Sequence, residues 1–483
     1  MKLSIPVPNK FTSSPGDLAE TKATLSGYQV TYLLGAILAC FLLVLAIQYG
    51  SGYYNYVSIQ LLIAAIVCSM LMVPALVLAQ ISLVETKTTL TFSISSMILF
   101  TTILLVLEVG LGLQDVYLHY SQIPLFSPFS KGMGWIIMGL LATYLLHVVD
   151  RAKDRLAANL VNYRFPLIIM LSVILKIVAV FASYINKIDV GVMMQESSAY
   201  LLAGSNPYTS ATAGYGGFNY PPLHLLLPLP FYILFGDTRF GSIAWELIGI
   251  GFIYHLAKKE LSFSPGLVRL TELALLIFML QPRGLFVVEQ AWGEPLIVGM
   301  AAATLYFLYY KPDGLLAGIL FAAMLAIKQY LVFMCLPLFI LYKVDWKRYG
   351  TIALTFTLII LPFVLWHPFE FFNRNVLHFF RLPIQTDSLG LTAYFWEQGL
   401  LIPRWFSPIL AGMVALGLGF YLRRFGVLGY LHTVILSFFC LFLFGQQAFA
   451  NYYYLLSFFQ VLTIIFFITS YCARSTGSQL HST

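Results

Sequence analysis

Residues 165–184 read FPLIIMLSVILKIVAVFASY, and after INKI (185–188) the chain continues DVGVMMQESSAYLLAGSNPYTSATAGYGGFNYPP (189–222). The first piece is long and apolar enough to cross a hydrocarbon core as a helix. Val190, Met193, Met194, Ser197, Tyr200 and Leu201 then recur at helical spacing, so a second helix is expected to lie in the membrane interface. Asp189 opens that helix, where the backbone dipole favours an ionised carboxylate. Gly204 supplies a stop and Asn206-Pro207 a turn. An ionised acid held at the membrane surface under a long loop is suited to act as a general base toward an acceptor hydroxyl or amide. A plain solvated acid outside a span is the competing interpretation. Glu196, two turns on, shares the face or points to water.

Apolar runs of this kind recur along the 483 residues, of which 60% are hydrophobic and only 10% charged. A soluble domain carries about 25% charge, so this chain must dissolve in lipid. Continuous rather than alternating runs exclude a barrel. The expected fold is an all-α polytopic transmembrane bundle of about 13–14 spans, near 28–48, 56–81, 92–113, 133–150, 165–186, 239–257, 267–281, 293–310, 314–327, 329–343, 350–367, 406–422, 427–445 and 451–471. Segment 221–236 starts with two prolines, contains two more, and is expected to lie along the membrane face instead of crossing it.

The net charge of +7 sorts by side rather than forming a nucleic-acid surface. With the N-terminus cytoplasmic, that side receives Arg164, Lys258, Lys259, Lys311, Lys347, Arg348, Arg423 and Arg424 among others. The opposite side receives a scattered few, such as Lys131, Arg239, Arg283, Arg374 and Arg381. This asymmetry sets both termini in the cytoplasm and Asp189 on the non-cytoplasmic face, in a multi-pass protein of a prokaryotic plasma membrane. A polar stretch precedes the first span, so that span is expected to insert uncleaved. The five cysteines form no CxxC pattern and fit small packing positions.

Three non-cytoplasmic loops concentrate the polar content: 187–238, 282–292 and 368–405. Lys328, at a span end, and Arg381 are candidates for phosphate oxygens, Arg through its planar fork and Lys as a point charge. Snorkelling fits Lys328 equally well, and a solvated loop charge fits Arg374 and Arg381. His378 is a further phosphate candidate, with helix capping as the plainer role. Glu196, Tyr208, Tyr220, Glu289, Gln290 and Trp292 are candidates for substrate contact, and Tyr215 and Trp396 add aromatic faces, although interfacial aromatic belts account for such rings too. Lys176 lies mid-span and needs an acid partner such as Glu108.

One pattern carries a resemblance. D-x-x-V-x-x-x-x-x-x-A-x-L-L-A-G-x-N-P-Y from Asp189, followed by Y-P-P-L-x-x-L-x-x-x-P-x-x-x-L-F-G-D at Tyr220–Asp237, resembles the polytopic glycosyltransferases of the GT-C class. It is most similar to glycosyltransferase family 87. Val288–Gly293, Ala317–Gln329 with Leu336-Pro337-Leu338, and Asp387-Ser388-Leu389 resemble later pieces of that family, so the resemblance spans roughly 165–470. It implies transfer of a sugar, mannose being the leading candidate, from a polyprenyl-phosphate donor to a glycan, lipid or protein acceptor, with inversion and with Asp189 as base. In that family the acid usually follows the first span. Here about four spans precede the one leading to it, so 1–160 is an N-terminal addition of unassigned role and 161–475 the catalytic module.

No DxD pair, His/Cys cluster or P-loop occurs, so no cofactor or metal is expected; the lipid-linked sugar is a substrate. The alternative function is a lipid-linked sugar flippase or other transporter, which should carry paired mid-membrane ionisable groups in repeated halves.

Overall fold

The computed structural model describes residues 24–49, 53–82, 91–114, 125–149, 155–183, 189–212, 217–312, 314–341 and 345–472. Each apolar run read from the sequence falls on a helix, and the described strands are one three-residue antiparallel pair, Thr24–Ser26 with Thr91–Ser93. Eight helices among the described residues are long and apolar enough to cross a membrane, or nine if Pro265–Met279 and Arg283–Glu289, bent by 53°, count as one span. The protein is an all-α integral membrane protein.

Among the described residues, helices long and apolar enough for a full crossing are therefore fewer than the 13–14 spans expected. The shortfall is clearest at Leu316–Leu325 and Gln329–Ile340. At 1.5 Å per residue the first spans about 15 Å, half a hydrocarbon core. The second is a 3-10 helix with Pro337 inside it. Between them the chain breaks at the buried Lys328. An uninterrupted apolar pattern hid this break, because hydropathy does not register where a backbone turns.

Ala450–Ser470 is the central helix, 94% buried, whereas Trp346–Trp366 is 11% buried and forms a lipid-facing edge. The helices of the first 160 residues pack into the same core. Tyr32 bonds His432 at 2.7 Å, and Cys40 Sγ donates to the Ser457 carbonyl at 3.5 Å. Arg239–Glu260 and Glu294–Tyr310 cross closely because glycines face each other: a Cβ on Gly299 would sit 2.5 Å from the Trp245 carbonyl oxygen.

Two sequence expectations need correction. Lys176 pairs with Glu246 on the neighbouring helix, both buried, and not with Glu108. Both oxygens of Glu108 are buried without a hydrogen-bond partner. Second, 282–292 is not an exposed polar loop. Arg283–Glu289 is helical and wholly buried, since the bend after Met279 turns it inward against the central helix.

Candidate active site

Asp189 begins the Asp189–Leu202 helix, and its Oδ1 accepts from the Val190 N–H at 2.8 Å. Val190, Met193, Met194 and Ser197 are the buried face, as the spacing predicts. The helix ends at Leu202, and Gly204 follows at φ 75°, left-handed backbone that suits glycine. Asn206 caps the short Pro207–Ser210 helix through the Tyr208 N–H at 2.9 Å. Segment 221–236 forms two helices, Leu223–Leu226 and Leu229–Phe235, broken at Pro228. Ile233, Leu234 and Phe235 are exposed, as expected of a segment lying against lipid.

Asp237, which closes the Tyr220–Asp237 pattern, holds the buried Arg239 at 2.6 Å. Arg239 also donates to the Ser183 carbonyl at 2.6 Å and the Glu289 carbonyl at 3.4 Å. One guanidinium thus ties the end of the helix leading toward Asp189 to the second polar segment. The third segment joins through Gln329, whose amide donates to the Asn219 carbonyl at 2.6 Å and reaches Asn375 at 3.5 Å. All three polar segments converge on one end of the bundle.

Pro368–Phe372 and His378–Arg381, joined by a π-helical turn, pack against the loop that follows the Asp189 helix, with the Phe371 ring centroid 5.0 Å from that of Tyr208. Half-burial and the Arg374 and Arg381 guanidiniums lower the proton affinity of His378, while the Asp189 carboxylate raises it; the four groups share one electrostatic neighbourhood. The His378 Nε2 is buried without a hydrogen-bond partner. Arg374 meets Glu370 only at 3.5 Å, and the exposed Arg381 bonds the Asn373 amide oxygen at 2.8 Å. Both keep N–H groups for an anion. Leu365, Phe369, Phe372 and Phe380 project from the same stretch, 54–70% exposed, so cations and lipid-facing aromatics occur together.

Lys328 neither snorkels nor faces an open groove. It is buried, its Nζ 2.6 Å from Glu294 Oε1 and 5.2–5.8 Å from the rings of Tyr220, Tyr330 and Tyr452. Tyr220 stacks on His224 with centroids 4.1 Å apart. Burial and the nearby Lys328 charge keep His224 neutral by lowering its proton affinity.

The other substrate candidates are placed as follows. Glu196 accepts from the Thr212 N–H at 3.0 Å. Tyr208 is fully buried, donates to the Tyr220 carbonyl at 2.8 Å and packs on Phe218 and Phe371; neither face of its ring is open to a sugar. Glu289 and Gln290 are enclosed, and Trp292 is 7% exposed and packs edge-on to Phe286. Tyr215 lies outside the described residues.

The residues missed at the sequence level are Glu294, Tyr330, Asn451 and Tyr452. For the first the signal was incomplete: a lysine bracketed by apolar runs needs a buried acid but not a particular one, and Glu294 opens the helix before the one that precedes Lys328.

No protein-family model matches the chain. No curated protein matches it. Among solved structures it is similar to the crystal structure of ArnT from Cupriavidus metallidurans bound to undecaprenyl phosphate. The identity is 17% and the TM-score 0.40, with 65% of this chain and 62% of that chain covered, so the match spans less than two thirds of that protein.

Proposed function

We propose that this chain is a membrane glycosyltransferase of the GT-C class that moves a sugar from a polyprenyl-phosphate donor to an acceptor on the non-cytoplasmic face. What carries the proposal is Asp189, at the start of a membrane-surface helix, together with an exposed helical stretch bearing Arg374, His378 and Arg381 that packs through Phe371 on Tyr208, just beyond that helix. A polyprenyl phosphate needs an apolar path for its chain and cations for its head, and that stretch supplies both. Undecaprenyl phosphate, the lipid in the ArnT structure, belongs to this chemical class; the proposal rests on this chain's own residues.

In the proposed reaction Asp189 takes the proton of the acceptor hydroxyl as its oxygen bonds to the anomeric carbon. The bond from that carbon to the phosphate oxygen breaks. The negative charge gathering on the departing polyprenyl phosphate is met by Arg374 and Arg381, and the neutral His378 donates an N–H. A single displacement inverts the anomeric centre. Lys328, already neutralised by Glu294, acts behind the site and not as the first phosphate ligand. Mannose is the first sugar to try.

The test is purified protein in lipid with radiolabelled polyprenyl-phosphate sugars, scoring transfer to a membrane extract. Arg374→Gln with Arg381→Gln should weaken donor binding by at least tenfold, as expected when charge-assisted hydrogen bonds are lost. Unchanged binding in that double variant would remove the cationic stretch from the donor site, and movement of intact donor across vesicles without transfer would favour a flippase.

A further inference from the structure

Glu294 and Asn451 leave two buried acceptors open at the edge of this site. Glu294 Oε1 accepts from Lys328 Nζ at 2.6 Å, Asn451 Nδ2 at 2.9 Å and the Tyr330 hydroxyl at 3.1 Å. Its Oε2 has no donor, although the side chain is wholly buried. Because the Asn451 amide nitrogen is committed to Glu294, its Oδ1 is the free end, and it too is buried without a donor. Unsatisfied buried acceptors are uncommon in folded proteins and call for an explanation. Tyr220 borders the cluster, its ring 5.2 Å from Lys328 Nζ and its carbonyl accepting from the Tyr208 hydroxyl at 2.8 Å. The open acceptors therefore adjoin the loop that follows the Asp189 helix.

The chemistry of the cluster selects its ligand. Two acceptor oxygens repel phosphate. A second cation is disfavoured because the Lys328 ammonium already occupies the same carboxylate, and the described residues contain no group of three or more His, Cys, Asp or Glu side chains that would hold a metal ion. A neutral donor remains, such as a sugar hydroxyl.

We propose that Glu294 Oε2 and Asn451 Oδ1 form a carbohydrate-hydroxyl subsite that reads the sugar being transferred. The subsite rests on the glycosyltransferase proposal and adds two specificity-determining residues to it. A site built to hydrogen-bond a substrate hydroxyl discriminates strongly against the analogue lacking it, because the buried acceptor is then left unpaired.

The experiment compares kcat/KM for the best polyprenyl-phosphate sugar and its monodeoxy analogues, in wild type and Asn451→Leu, with Asn451→Ser as a second variant should the first fail to fold. Wild type should lose roughly 10- to 100-fold on at least one deoxy donor. In the Asn451 variant the parent sugar should fall by a similar factor, and that deoxy donor should fall no further, so the two become nearly equal. A variant that keeps the wild-type ratio for every deoxy donor while still turning over the parent sugar overturns the subsite alone. A wild type that turns over no donor overturns the activity and the subsite together.

Discussion

The Lys328 ammonium lies 2.6 Å from Glu294 Oε1, with both side chains buried. The contact joins the break before Gln329–Ile340 to the start of Glu294–Tyr310, so it fixes a turn inside the bundle where neither charge reaches water. Removing one partner of a buried pair strands the other charge. Lys328→Met should therefore cost about 3–5 kcal/mol of stability, read by thermal unfolding in detergent, and combining it with Glu294→Leu should recover part of that loss. A single variant that melts like wild type would contradict a structural role for the pair.

Lys176 and Glu246 form a second buried pair between neighbouring helices. Lys176→Met is expected to destabilise by about 3–5 kcal/mol, with partial recovery in Lys176→Met plus Glu246→Leu. Retained transfer by the double variant would mark the pair as structural. Loss of transfer with stability restored would tie it to function.

Gly293 has a positional requirement that is independent of its torsion. A Cβ there would fall 2.2 Å from the His224 ring, so Gly293→Ala must push His224 off Tyr220. The expected cost is about 1–3 kcal/mol, as for overpacking. Adding His224→Ala should make the glycine substitution nearly neutral, and a double-mutant cycle in melting experiments checks this.

His378 sets a pH dependence. Its proton affinity is lowered in the folded protein by partial burial, then by Arg374 and Arg381. Between that lowered value and the ordinary imidazole value the unfolded chain binds more protons, so this group's contribution to stability rises with pH across the window and is lost as pH falls through it. Arg374→Gln should move the His378 midpoint up and narrow the window; Asp189→Asn should move it down. Histidine ring titration by NMR reads both shifts, and a midpoint indifferent to Asp189→Asn would separate the two residues.

The spans and the interfacial helix were legible because both rest on local periodicity. Apolar runs predict helices, and the Val190–Met194–Ser197 spacing marks the buried face that the structure contains. Gly204 and Asn206 were equally readable as local punctuation. The bend that buries Arg283–Glu289 was not, since Pro282 and Gly284 suit an exposed loop as well as an inward turn. The partners of Lys328 and Lys176 were hidden for a different reason: any acid in an apolar run satisfies the need for a counter-charge, and helix packing decides which. Asn451 carried no signal at all, because its place beside Glu294 arises only when the last helix becomes the centre of the bundle.

The most direct test compares wild type with Asp189→Asn in lipid, using the polyprenyl-phosphate sugar that wild type transfers. The account predicts that the variant folds and binds donor as wild type does while transfer falls by at least 10²-fold, the usual contribution of a positioned general base. Equal transfer by both proteins would contradict the assignment of Asp189 and, with it, the placement of the reaction centre.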